Sequence, residues 1–81
     1  MRLFGGSGSE HPTTAKARKR LNRVSPEEAL RWADVTGAGM ARSLSEYQKT
    51  THPEHLDDAE QALLTLLGCV QSLRSRTLQV S

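Results

Sequence analysis

Apolar residues in the C-terminal third of the chain recur at alternating intervals of three and four positions. The members of this pattern are Leu56, Ala59, Leu63, Leu66, Val70 and Leu73. Side chains with this spacing lie on one face of an α-helix. Neighbouring apolar residues, from Leu64 on one side to Cys69 on the other, widen that face to an arc of roughly 220°, and one packed helix covers roughly half of it. The pattern therefore predicts an all-α protein in which this helix contacts more than one other helix.

The chain is too short to bury a large core by itself. Its 81 residues support a single domain, and domains of this size are marginally stable unless a cross-link, a metal or a partner helps. The only cysteine, Cys69, has no second thiol with which to form an internal disulfide, and the three histidines are not spaced with cysteines as in a zinc finger. We therefore expect no metal and no cofactor, and we expect the helices to be completed by association.

Signals for the secretory pathway or for a membrane do not stand out. No charged and then apolar leader opens the sequence, and the longest apolar run, 62–70, is far shorter than the ~20 residues that cross a bilayer. The expected location is the cytoplasm.

Two helices have clear boundary signals. Ser25, Pro26 and Glu28 form the sequence of a capping box, which predicts a helix over about 26–49. The segment 50–54 contains a proline that disfavours helical backbone in the residue before it. A second helix is predicted over about 53–77, so that 25–81 forms an antiparallel helical hairpin.

The first 24 residues read as a separate arm. A glycine and serine stretch at 5–9 predicts a flexible linker, and 13–23 predicts a short helix with one weak apolar edge. Residues 1–24 carry six basic side chains and one acidic one, whereas 25–81 carry five basic and eight acidic ones, giving formal charges of +5 and −3. The basic cluster consists of Lys16, Arg18, Lys19, Arg20 and Arg23. Such an arm is typical of contact with nucleic acid or with an acidic surface.

Small side chains recur at every fourth position of the first long helix. Ala29, Ala33, Gly37 and Ala41 form this ridge, which favours close packing of another helix; a kink at Gly37 is the alternative. We expect the ridge to pack against a seam on the second helix that consists of Leu63, Leu66 and Val70.

The remaining apolar residues are candidates for binding a partner. They are Trp32, Val35, Leu64, Leu67 and Val70. Trp32 is the only tryptophan, a residue type enriched among those that dominate interface energies; the alternative is that it packs beneath the arm. The surplus apolar arc is covered either by a partner that completes a four-helix bundle, or by the basic segment folding back as a third helix within the chain.

Catalytic and metal-binding constellations are weak. Possible metal ligands cluster around the predicted turn, namely His52, Glu54, His55, Asp57 and Asp58. Their spacing is not that of a recognised helical metal site, and helix-dipole chemistry already explains the acidic residues there. A dimer could assemble a polar pocket from Arg31, Arg42, Glu46 and Lys49, but the first three lie on the outward face of the first long helix, where charges usually form only a solvated surface. The leading hypothesis is a non-enzymatic interaction or assembly module, a small subunit or adaptor that binds another protein or its own copy. The alternatives are a dimer that holds nucleic-acid phosphates with its basic arm and, behind it, a small helical-bundle enzyme; contact with a membrane ranks below nucleic acid.

Overall fold

The part of the chain that the structure describes forms three α-helices. The computed structural model describes the backbone of residues 10–80 and the side chains of residues 10–76. Helix α1 spans Pro12–Leu21, α2 spans Pro26–Thr50 and α3 spans Glu54–Val80. The all-α prediction is confirmed, and the short helix predicted over 13–23 is present as α1. This helix packs along α3 and does not form a separate arm, so the described residues form three helices and not a two-helix hairpin. The glycine and serine stretch at 5–9 lies outside the described residues.

Local hydrogen bonds set the starts of the first two helices. The imidazole Nδ1 of His11 accepts a hydrogen bond from the backbone N–H of Thr13 at 3.0 Å, and Pro12 occupies the first turn of α1. The Ser25 hydroxyl accepts from the N–H of Glu28 at 3.1 Å at the start of α2. Both caps satisfy N–H groups that have no partner within the helix.

The turn between α2 and α3 reverses the chain. Thr51 adopts the left-handed conformation, with φ of 57°, and its N–H donates to the carbonyl of Tyr47 at 2.7 Å. Ala29 near the start of α2 lies in one cluster with Cys69 and Leu73 near the end of α3. The two long helices therefore lie side by side in opposite directions.

Helix α1 approaches α3 most closely at Gly68. A Cβ atom on Gly68 would lie 2.6 Å from the carbonyl oxygen of Thr14 and 2.8 Å from the Cβ of Ala17. The Thr14 hydroxyl donates to the carbonyl of Leu64 at 2.8 Å, and the Ser72 hydroxyl donates to the Asn22 side chain at 2.6 Å. Because residues later in α1 meet residues later in α3, these two helices are parallel.

The buried core of the described residues is small and partly polar. Its apolar members are Leu21, Ala29, Ala59 and Cys69. The largest fully buried side chains are Thr14, Cys69 and Ser72. Among the described helices, none combines the length and apolar character that crossing a bilayer requires. Because so few large apolar side chains are buried, eight of those in the described residues are at least 40% exposed.

Candidate functional site

An exposed apolar stripe runs along α3. Leu56, Leu63, Leu67 and Val70 form it, and each is at least 41% exposed. Intervals of seven, four and three residues keep these side chains on one side of a helix that turns by ~100° per residue. On the same basis the last three project roughly 100–160° away from Gly68, where α1 packs. Helix α1 thus folds back within the chain, but it leaves this stripe uncovered.

Helix α2 carries a second stripe with the same intervals. Its members are Leu30, Gly37, Ala41 and Leu44, of which Leu30 is 58% exposed. These residues project roughly 120–180° away from Trp32, whose ring contacts the Arg20 guanidinium of α1. Both stripes therefore point away from α1 and lie on the same side of the α2 and α3 pair. Together they form what we call the apolar face.

The small-residue ridge packs against α3 only over its first half. Ala29 is fully buried and Ala33 packs against the core, whereas Ala41 is exposed. Among the described residues, no atom beyond the surrounding backbone of α2 lies within 4 Å of a Cβ placed on Gly37. Close packing at Gly37 is thus not found within the chain, and α2 continues unbroken through it. The close helix approach occurs at Gly68 instead, because α1 and not α2 meets its partner there.

The predicted seam on α3 is shifted from its expected position. Leu66 is half-buried, but Leu63, which was expected to pack against α2, is 53% exposed. Val70, expected both to pack and to bind a partner, lies with Leu67 on the apolar face. Leu64, expected to bind a partner, is half-buried and its carbonyl accepts the hydrogen bond from α1. Because α1 packs beside Gly68, it covers the side of α3 that carries Leu64 and leaves the side that carries Leu63 exposed.

Trp32 and Val35 lie on the other side of α2. Trp32 is 40% exposed and Val35 is 66% exposed. The Arg20 guanidinium lies 5.4 Å from the centroid of the Trp32 ring, a cation–π distance. A cleft of about 240 Å³ opens beside this pair and is lined by Thr13, Lys16, Ala17, Arg20, Leu21, Trp32 and Thr65. We call it the tryptophan cleft.

The basic cluster divides into one half-buried and four exposed members. The Arg18 guanidinium pairs with Glu10 and donates to the Gln71 side chain at 3.4 Å, so it helps to hold α1 in place. The exposed members are Lys16, Lys19, Arg20 and Arg23. The basic segment at 13–23 contains no aromatic residue. The fold supplies one from α2, a contact that helical periodicity cannot reveal because it depends on how α1 docks.

The histidine cluster at the α2 and α3 turn is compact but solvent-facing. Possible ligand atoms of His52, Glu54 and His55 lie within 4.8 Å of one another. The two imidazole rings are parallel, with centroids 6.2 Å apart. The cluster stands at the N-terminal end of α3, where the helix dipole opposes a bound cation.

Reactive side chains do not converge elsewhere in the described residues. Cys69 is fully buried, and this burial raises the pKa of its thiol, which favours the unreactive protonated form. Of the polar set considered for a pocket, Lys49 and Glu46 lie 3.9 Å apart on one exposed helix face, and Arg31 and Arg42 are exposed.

The described residues thus present two distinct surfaces, the apolar face on one side and the tryptophan cleft on the other. The first consists mainly of exposed leucine and valine side chains, and the second combines an aromatic ring with cations. Comparison with known proteins finds no match to this chain among family models, curated proteins or solved structures.

Proposed function

We propose that this chain is a helical assembly module that binds a second copy of itself through the apolar face. The carrying observation is the imbalance between exposed and buried apolar side chains. Among the described residues, eight large apolar side chains are at least 40% exposed, six of them on the apolar face, whereas four apolar residues are buried and two of those are alanines. A contiguous exposed apolar patch on a small domain is typical of a protein interface.

The arrangement of the two stripes favours a second copy as the occupant. A two-fold axis parallel to the helices and lying in the interface would place α2 of each chain over α3 of the other. Because Ala29 lies in one cluster with Cys69 in oppositely directed helices, Gly37 stands at about the height of Leu63. The open space at Gly37 would then receive Leu63 of the partner subunit, and the result is an antiparallel four-helix bundle.

The same pairing matches the ends of the stripes. Leu30 would face Val70 of the partner subunit, and Leu44 would face Leu56 of the partner subunit. Each pair combines two side chains that are 41–58% exposed in the single chain. Burial of a leucine or valine side chain contributes about 1.5–3 kcal/mol relative to full exposure. Several half-exposed pairs on each side supply enough driving force for association of a weakly cored monomer.

Replacing Leu67 by glutamate tests this proposal. Leu67→Glu puts a charge in the centre of the apolar face, where its desolvation opposes association. Val35→Glu is the matched control, because Val35 is equally apolar and more exposed but lies on the other side of α2. We expect Leu67→Glu to weaken the dimer at least about tenfold, a change of about 1.4 kcal/mol, and Val35→Glu to leave it unchanged.

Sedimentation velocity over a range of concentrations measures both variants, and circular dichroism checks that their helices form. A dimer that persists in Leu67→Glu would contradict the assignment of the apolar face. Dissociation by Val35→Glu with retention in Leu67→Glu would move the interface to the opposite side of α2.

A further inference from the structure

We infer that the tryptophan cleft binds single-stranded nucleic acid, with one base stacked at Trp32 and the adjacent phosphates held by Lys16 and Arg20. This inference does not depend on the proposed self-association. The cleft lies on the α1 side of the molecule, opposite the apolar face, so both surfaces can be occupied at once.

The aromatic ring and the cations are already assembled. Trp32 is 40% exposed, and Arg20 stands over its ring at 5.4 Å. Lys16 lines the same cleft from one turn earlier in α1. Proteins that bind single strands combine a base stacked on an aromatic side chain with basic groups along the backbone. Arginine also stacks on a base by itself, so its position over the ring continues the platform.

The size of the cleft suits a single base. Its volume is about 240 Å³, below the roughly 300–1,000 Å³ of pockets that enclose a drug-sized ligand. Its lining combines apolar groups with the hydroxyl groups of Thr13 and Thr65. A base inserted here would lie against the ring while its sugar and phosphate remained outside.

Further exposed cations lie near the cleft in the chain. Lys19 precedes Arg20 in α1 and Arg23 follows the end of that helix, while Arg31 flanks the other side of Trp32 together with Glu28. This one neighbouring carboxylate is outnumbered by the cations around the ring. These cations offer further phosphate contacts, which add salt-sensitive affinity without sequence preference.

A single-stranded ligand fits better than a duplex or a bilayer. Stacking on Trp32 requires a base that is free of its own helical stack. A lipid headgroup would use the cations but would leave the cleft between α1 and α2 without an aromatic guest. The test includes vesicles to separate these chemistries.

Fluorescence of the only tryptophan reports occupancy directly. Titration of the full chain with an unlabelled oligothymidine at low salt should quench the Trp32 emission, since a stacked base lies against the ring. An abasic oligonucleotide of the same length keeps the phosphates and removes the bases. We expect it to bind about tenfold more weakly, as loss of base stacking implies, and to cause no quenching. Equal affinity for the two oligonucleotides would overturn the inference.

Variants locate the contacts. Arg20→Gln should weaken binding of an end-labelled oligothymidine about three- to tenfold and lower its salt dependence by about one unit of log–log slope. Trp32→Leu, which keeps an apolar side chain at this position, should weaken it about tenfold. Lys49→Gln is the matched control, because Lys49 is an exposed cation at the opposite end of α2, and it should change affinity by less than about twofold.

Three further outcomes would overturn the inference. They are equal losses in Lys49→Gln and Arg20→Gln, unchanged binding by Trp32→Leu, and a Trp32 emission shift with anionic phospholipid vesicles but not with oligothymidine. The mass of each variant in solution separates this test from that of the apolar face, because none of the three substitutions lies on that face. A variant that binds oligothymidine weakly while keeping the wild-type mass tests the tryptophan cleft and not the apolar face.

Discussion

The reactivity of the Cys69 thiol is set by the residues that surround it. It lies fully buried in one cluster with Leu21 and Ala29. Desolvation raises the pKa of the thiol, and a backbone hydrogen bond of the same residue partly opposes this rise. A thiol in such a site acts as a small apolar side chain rather than as a nucleophile.

The raised pKa of Cys69 predicts a loss of stability at alkaline pH. The unfolded chain releases the thiol proton above about pH 8.5, whereas the folded chain retains it to higher pH. Folded protein therefore binds more protons in this window, and its free energy of unfolding falls as pH rises, by at most about 1.4 kcal/mol per pH unit. Below the unfolded pKa this contribution is fully present.

Thermal unfolding of the wild type and of Cys69→Ala, measured from neutral to alkaline pH, checks this prediction. The variant should be less stable at neutral pH because of the lost packing, and its decline above pH ~8.5 should be shallower. Parallel declines in the two proteins would contradict a buried thiol that titrates late.

Helix α1 depends on one glycine for its position. The carbonyl of Thr14, the Cβ of Ala17 and the N–H of Arg18 all crowd the site of a Cβ on Gly68. Two of these three are backbone atoms, which cannot rotate away as a side chain does. A methyl group at Gly68 must therefore move α1 as a unit.

Gly68→Ala should displace α1 and lower the free energy of unfolding by about 1–3 kcal/mol, the usual cost of overpacking. Gly39→Ala is the matched control, since no described atom beyond the surrounding backbone of α2 lies within 4 Å of its Cβ site. This substitution should stabilise α2 by up to about 1 kcal/mol. Urea unfolding followed by circular dichroism measures both. Gly68→Ala should also shift Trp32 emission, because Arg20 moves away with α1. Equal stability of the two variants would contradict the close crossing.

The helix ends could be predicted because their signals are local. Ser25, Pro26 and Glu28 lie within four positions of one another, and the observed start of α2 at Pro26 matches the prediction. The α1 docking site could not be predicted in the same way. It uses a close backbone approach at Gly68 and hydrogen bonds from the hydroxyl groups of Thr14 and Ser72, and an apolar pattern reports neither kind of contact.

The faces of the long helices were only partly predictable for the same reason. Periodicity defines the width of an apolar arc, but it does not say which part a short third helix covers. With α1 against Gly68, Leu64 is half-buried and Leu63 is exposed. The tryptophan cleft depends on the same docking, because Arg20 and Trp32 belong to different helices.

At the scale of the whole molecule, three helices form a layer with two different sides. One side exposes leucines and valine over both long helices, and the other exposes a tryptophan among cations. The buried apolar side chains between them are few and small. In the proposed account the chain reaches full stability only when the apolar face is covered, so folding and association are coupled.

The most direct measurement is the thermal midpoint of the untagged wild-type chain as a function of its own concentration. Coupled folding and association predicts that the midpoint rises by about 5–10 °C over a hundred-fold increase in concentration, with a mass of two chains at the upper end. A midpoint independent of concentration, with the mass of one chain throughout, would contradict the account.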